Sequence, residues 1–293
     1  MSPCIDLRTI AQASLAERPE SNLYLLLDHG GLPRLHRQLQ KSSAKWVSLF
    51  DCTNEANALV VAPILILIGG NGKLQMSRSL FEWIGKNGTY TSTVIMLSSP
   101  LQIESLRKRL TARLDVRISE DMKAMLRFFD PRIFEGLMNV LSPEQLATFL
   151  APAEKWWYVD RAGKLVSVEA KFNAVDESAV PLELSAKQEF DLIDASDADR
   201  VLASLRENAS DLIQKQPLPA QYDFVAANLQ AARDAGLTSI ADLVLYNMVV
   251  LIKGLDFIKS EIWSSLMDEV ASKSADFMEL VLSLNIDEER GVS

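Results

Sequence analysis

Two histidines, two cysteines and a few clustered acids are the residues through which this chain could do chemistry. His29 lies between Asp28 and Gly30-Gly31 just after an apolar run, where backbone N–H groups could hold a developing alkoxide. No G-x-S-x-G elbow supplies a nucleophile for such a loop, so the residues favour a strand-ending turn with a surface histidine. His29 and His36 are seven positions apart and lack the i,i+4 spacing of a helical zinc pair. Cys4 and Cys52 are too few for a disulfide framework or a thiolate metal site. Asp191, Asp194, Asp197 and Asp199 are dense enough to suggest calcium, but the loop glycine and closing glutamate are missing, and acids of helix starts account for them. Gly69-Gly70-Asn71-Gly72-Lys73-Leu74 has neither the Walker spacing nor the hydroxyl after the lysine, and reads as a hairpin turn. The residues therefore give no case for a catalytic set, a metal or a cofactor. The alternative is a small-molecule hydrolase or transferase using Asp28 or His29 with a remote carboxylate.

The elements that would position these residues change character along the chain. Leu23 to Asp28, Trp46 to Phe50, Ile64 to Ile68, Ser92 to Ser98 and Met125 to Phe129 read as strands. Pro33 to Gln40, Met76 to Ile84 and Leu101 to Leu114 read as helices between them. Ser99-Pro100, Asp130-Pro131 and Ser142-Pro143 each set a capping side chain before a proline, as at helix starts. Trp156 to Val159 and Leu165 to Val168 predict a closing hairpin, and Asn173 to Pro181 a polar linker. Beyond Ser185 the period is helical. Caps are expected at Ser185 and Ser196, and helices over Gln221 to Ala235 and Ser239 to Lys253, stopped by Gly236 and Gly254. A last helix carries a stripe of Ile262, Trp263, Leu266, Met267, Val270, Phe277, Leu280, Val281 and Leu284. The expected fold is an α/β domain over residues 1–180, a mixed sheet with flanking helices, followed by an acidic all-α helical bundle over residues 181–293.

Charge divides at the same place. Of the 30 basic and 39 acidic residues, 21 and 19 precede residue 181 and 9 and 20 follow, giving +2 and −11. This balance argues against a nucleic-acid binder. The N-terminus has no basic run leading into an apolar stretch, and the run from Ala58 to Ile68 is too short to span a bilayer, so neither secretion by a signal peptide nor membrane insertion is expected. With so few cysteines, the cytoplasm is the expected setting. The basic cluster Arg107, Lys108, Arg109, Arg113 and Arg117 lies on a predicted helix whose Ile103, Leu106, Leu110 and Leu114 face inward. That leaves Arg107, Lys108 and Arg113 outward, either as a solvated face or as candidates for binding an acidic protein partner.

Arg127-Phe128-Phe129-Asp130-Pro131-Arg132 reads as a strand end, an aspartate cap and a proline-led helix. It also resembles the Arg-Phe-Tyr-Asp-Pro-Arg signature of the type VI secretion effector-adaptor chaperones, a bacterial family catalogued as a domain of unknown function. Leu23 to Asp28, Ser48-Leu49-Phe50 and Ala62-Pro63-Ile64-Leu65 are similar to its first three strands, Leu106 to Leu110 to its basic helix, and Gln145 to Pro152 to its Phe-x-x-Pro end. Phe129 stands where the family has tyrosine, and His29-Gly30 where it has Gly-Ala. The resemblance implies a non-enzymatic cytoplasmic adaptor that binds a toxic effector and helps to load it onto the VgrG spike, with or without a PAAR-type tip. It brings no catalytic residues and no cofactor. A structural or immunity-like binding protein is a further alternative.

Overall fold

The apolar run over residues 23–27 is buried at every position in the computed structural model, which describes residues 4–118, 122–175, 181–272 and 276–284. Neighbouring residues of a strand point to opposite faces, so this burial means that both faces of the sheet are covered there. The chain divides into two units, Met1–Ala195 and Ser196–Ser293. The expected domain boundary at residue 180 lies outside the described residues, as does the part of the expected linker over residues 176–180.

The first unit contains α1 (Leu7–Glu17), β1 (Asn22–Asp28), α2 (Leu35–Gln40), β2 (Trp46–Ser48), β3 (Pro63–Gly70), β4 (Lys73–Leu74), α3 (Arg78–Gly88) and β5 (Val94–Ser99). It continues with α4 (Ile103–Thr111), β6 (Asp115–Arg117), β7 (Lys123–Met125), α5 (Pro131–Val140), α6 (Pro143–Leu150), β8 (Lys155–Val159), β9 (Leu165–Glu169) and β10 (Leu182–Glu183). The helix α7 (Ala186–Asn208) crosses from the first unit into the second. The main sheet has the order β2-β3-β1-β5-β8-β9, with β4 paired to β3, and all its pairings are antiparallel. Parallel pairing occurs in a second sheet of order β10-β6-β7, where Leu182 faces Val116. The α/β expectation therefore holds with an antiparallel main sheet. Helix α1 packs on β1, β3 and α3, while α4 packs on β2 and β3 and α5 on β8. Between β3 and β4 the chain turns through Asn71 and Gly72 with φ of 51° and 70°, the two positive values that a tight hairpin turn needs.

Three local expectations are overturned here. Residues 126–129 are not strand: β7 ends at Met125, and the Asp130 N–H donates to the Arg127 carbonyl at 2.9 Å to close a turn. Ser99 does not cap a helix, because its hydroxyl donates to the Pro152 carbonyl at 2.7 Å and α4 starts later, after Gln102. Ser196 lies inside α7, which runs unbroken from a start at Ser185, where Ser185 and Gln188 cap each other.

The second unit is helical: α8 (Ser210–Ile213), α9 (Gln221–Asp234), α10 (Ile240–Lys253), α11 (Leu255–Ile258), α12 (Glu261–Ala271) and α13 (Phe277–Ser283). Gly236 and Gly254 follow α9 and α10 with φ of 87° and 84°, which an L side chain resists. Leu243, Tyr246, Val249 and Val250 of α10 are buried with Val225 and Leu229 of α9 and with Trp263, Phe277 and Val281. The stripe expected on one last helix belongs to two, since Asp276 starts α13 by accepting the Met278 N–H.

Candidate functional site

The signature Arg127 to Arg132 forms the turn into α5, and its side chains divide by burial. Phe128, Phe129 and Asp130 are buried, as is Pro131, whose missing N–H is harmless at the first helical position. Phe128 meets Phe149 edge-on at 5.5 Å between ring centres. Phe134, one turn into α5, meets Trp156 at 5.3 Å and Tyr158 at 5.7 Å. Burial, followed by the negative charge of Glu135, pushes the Tyr158 hydroxyl up to about 12. Asp130 caps α5 by accepting the Arg132 N–H at 3.0 Å, and its two oxygens also take the Arg132 guanidinium, the closest contact being 2.6 Å.

Arg127 reaches back across the sequence to the end of β1. Its guanidinium donates to Asp28 Oδ2 at 2.9 Å and lies over the Phe129 ring at 5.5 Å. The Asp28 side chain is only 5% exposed and the Arg127 side chain 54%. The other Asp28 oxygen accepts the Gly30 N–H at 2.9 Å. His29, expected at the surface, is buried, and its Nδ1 lies 2.7 Å from the Leu59 carbonyl, which fixes the short helical turn Leu59–Val61 against β1. The reason is long-range: β1 is the centre of the sheet, and the residue after it is still covered by the segment leading into β3.

The face at this end of β1 combines charge with apolar area. Val60 is 73% exposed and Val61 49%. A Cβ on Gly30 would sit 3.2 Å from Asp28 Oδ1 and 3.8 Å from Val61 Cγ1, so Val61 lies close to the carboxylate that anchors Arg127. Met125, two residues before Arg127, is also exposed. A half-exposed guanidinium held by a buried carboxylate, with exposed aliphatic side chains on the segment leading into β3, offers a partner protein both a charged and an apolar contact. Sequence reasoning used Val60 and Val61 only to test for a membrane span. The available signal was two valines before Pro63 and outside the strand pattern.

The basic residues of α4 and of the short turn after it, Ala112–Leu114, differ in what they touch. Lys108 is exposed. Arg107 is half-buried, pairing with Glu104 at 3.1 Å and donating to the Asp51 carbonyl at 3.1 Å. Arg113, expected outward, is buried: it donates to the Thr148 carbonyl at 2.9 Å and the Phe149 carbonyl at 2.7 Å. These are carbonyls of the last turn of α6; that of Thr148 also accepts the Ala151 N–H at 3.4 Å, and the guanidinium adds a charged donor at the negative helix end. Arg109 donates to the carbonyls of Asn173 and Ala174.

Among the described residues no group of three or more His, Cys, Asp or Glu side chains is placed to hold a metal ion, and no helix is long and apolar enough to cross a membrane. Cys4 and Cys52 are exposed and unbonded to each other. Asp191 pairs with Lys187 at 2.6 Å, and Asp197 with Arg200 and Arg233. No curated protein and no solved structure matches the chain. Residues 23–148, from β1 to the last turns of α6, match the model of a family described as a domain of unknown function, DUF4123.

Proposed function

We propose that the protein is a non-enzymatic adaptor that binds a type VI secretion effector in the bacterial cytoplasm and helps to load it onto the VgrG spike, with or without a PAAR-type tip. The observation that carries this reading is the use made of Asp28. A hydrolase or transferase using this carboxylate or His29 would need that group open to a substrate. Instead both are buried: Arg127 and the Gly30 N–H hold Asp28, and His29 Nδ1 meets the Leu59 carbonyl. The charged groups stiffen a face on which aliphatic side chains and a guanidinium are presented together, an arrangement suited to recognising a protein surface. The match over residues 23–148 supports the same reading.

Deletion of the gene in a cell that secretes the cognate effector tests it. The effector should disappear from the secreted fraction while the spike protein is still exported, and the full chain supplied in trans should restore it. Unchanged effector secretion in the deletion strain would overturn the proposal.

A further inference from the structure

The helical unit contains a groove of about 380 Å³ lined by Gly236, Leu237, Thr238, Asp242, Val270, Asp276 and Phe277. Leu237 and Phe277 are buried beneath it and Val270 is half-buried, so the surface that the groove offers is mostly polar. Asp242 and Asp276 stand on its walls. Asp242 Oδ2 accepts the Ser239 hydroxyl at 2.7 Å, and Asp276 Oδ1 accepts the Met278 N–H at 2.9 Å. Neither carboxylate has a cation partner among the described residues. From the groove, α13 runs on with Met278 and Leu282 exposed one turn apart on the same face, Leu282 at 72%. Between residues 260 and 284 the sequence has Glu261, Asp268, Glu269, Asp276 and Glu279 against the single base Lys273.

We propose that this groove and the adjoining face of α13 receive a basic amphipathic helix of a partner protein. The aliphatic stem of a lysine or arginine passes over the half-buried Val270 with its cationic head near Asp242 and Asp276, and the apolar stripe of the same helix covers Met278 and Leu282. Charge complementarity selects this occupant. The second unit carries 16 acidic and 8 basic residues, a surface that repels nucleic acid and anionic lipid and attracts a basic segment. The proposal rests on the adaptor reading only for whose helix it is. The groove's chemistry is tested without that partner.

The probe is a fluorescein-labelled amphipathic Leu/Lys peptide of about 18 residues, or five helical turns, titrated with the full-length chain by fluorescence anisotropy. Its Leu/Glu twin serves as the control peptide. Saturable binding is expected for the Leu/Lys peptide alone, and it should be lost at about 1 M salt, where the screening length is about 3 Å. D242N/D276N keeps both side-chain oxygens as acceptors while removing two charges, and should weaken binding about tenfold or more, as should M278S/L282S. E207Q/D223N removes two exposed charges from α7 and α9, away from the groove lining, and should change affinity by less than about twofold. The proposal is overturned if the Leu/Lys peptide does not bind, if the Leu/Glu twin binds equally, if E207Q/D223N weakens binding as much as D242N/D276N, or if either groove variant binds like the parent. None of these outcomes bears on whether the chain recovers an effector or a spike protein.

Discussion

At the scale of single residues, the chain uses its unusual charges to fix backbone. Asp28 is the clearest case, since a buried carboxylate is costly unless paired, and its cation comes from a residue 99 positions away. Arg127→Ala should therefore destabilise the protein by about 1–3 kcal/mol, because it leaves that carboxylate with the Gly30 N–H as its one remaining bond described here. In an Asp28→Asn background the same change should cost less than about 1 kcal/mol, since the arginine is half exposed and then holds no buried charge. Urea melts of the four proteins measure the coupling, and equal losses in both backgrounds would show that the pair contributes nothing. Tyr158 gives a second residue-scale test. Its folded pKa is raised from 10.0 to about 12, first by burial and then by Glu135. The unfolded chain thus releases this proton first, and the stabilisation is complete below pH 10 and lost as pH rises from about 10 to 12. Tm measured across that interval should fall less steeply in Tyr158→Phe, with Tyr24 and Tyr246, also raised by burial, supplying the remaining slope. Parallel slopes would contradict this assignment.

At the scale of elements, signals confined to a few neighbouring residues were legible and those settled by distant partners were not. Ser142-Pro143 with Gln145 starts α6 through a reciprocal capping box, and Asp130-Pro131 starts α5, as their spacing predicts. The hairpin β8–β9 and the turn at Asn71-Gly72 were equally plain. Ser99-Pro100 carries the same local signature, yet Ser99 ends a central strand, and the Pro152 carbonyl takes its hydroxyl. Arg113, in the short helical turn Ala112–Leu114 just after α4, continues that helix's outward pattern in the sequence but turns in to cap α6, a need that only the fold creates. Helix α1 was missed although Leu7, Ala11 and Leu15 repeat at four-residue intervals and Asp6 caps Thr9. Of the candidate site, the signature and its cap could be read directly. The pairing with Asp28, the burial of His29 and the exposure of Val60 and Val61 required the sheet. Asp130 permits a test at this scale, because Asn keeps the cap and loses the charge while Ala loses both. Asp130→Ala should cost about 1–2 kcal/mol and Asp130→Asn less than half of that, measured by thermal melting. Equal losses would mean that the ion pair with Arg132, rather than the cap, holds the start of α5.

At the scale of the whole molecule, the net charge of −9 conceals two units of different character. The α/β unit offers a face built of an anchored arginine and exposed aliphatic side chains, and the helical unit offers an acidic groove with exposed Met278 and Leu282. Two surfaces of unlike chemistry suit the proposed adaptor, which has two different partners to hold. Affinity purification of the full chain at low salt, from cells expressing the effector and the spike protein together, tests it most directly. For the proposed adaptor, the effector should co-elute with the chain and bring the spike protein with it, and added salt should weaken whichever contact the acidic unit makes. Recovery of the chain with neither protein would contradict the account.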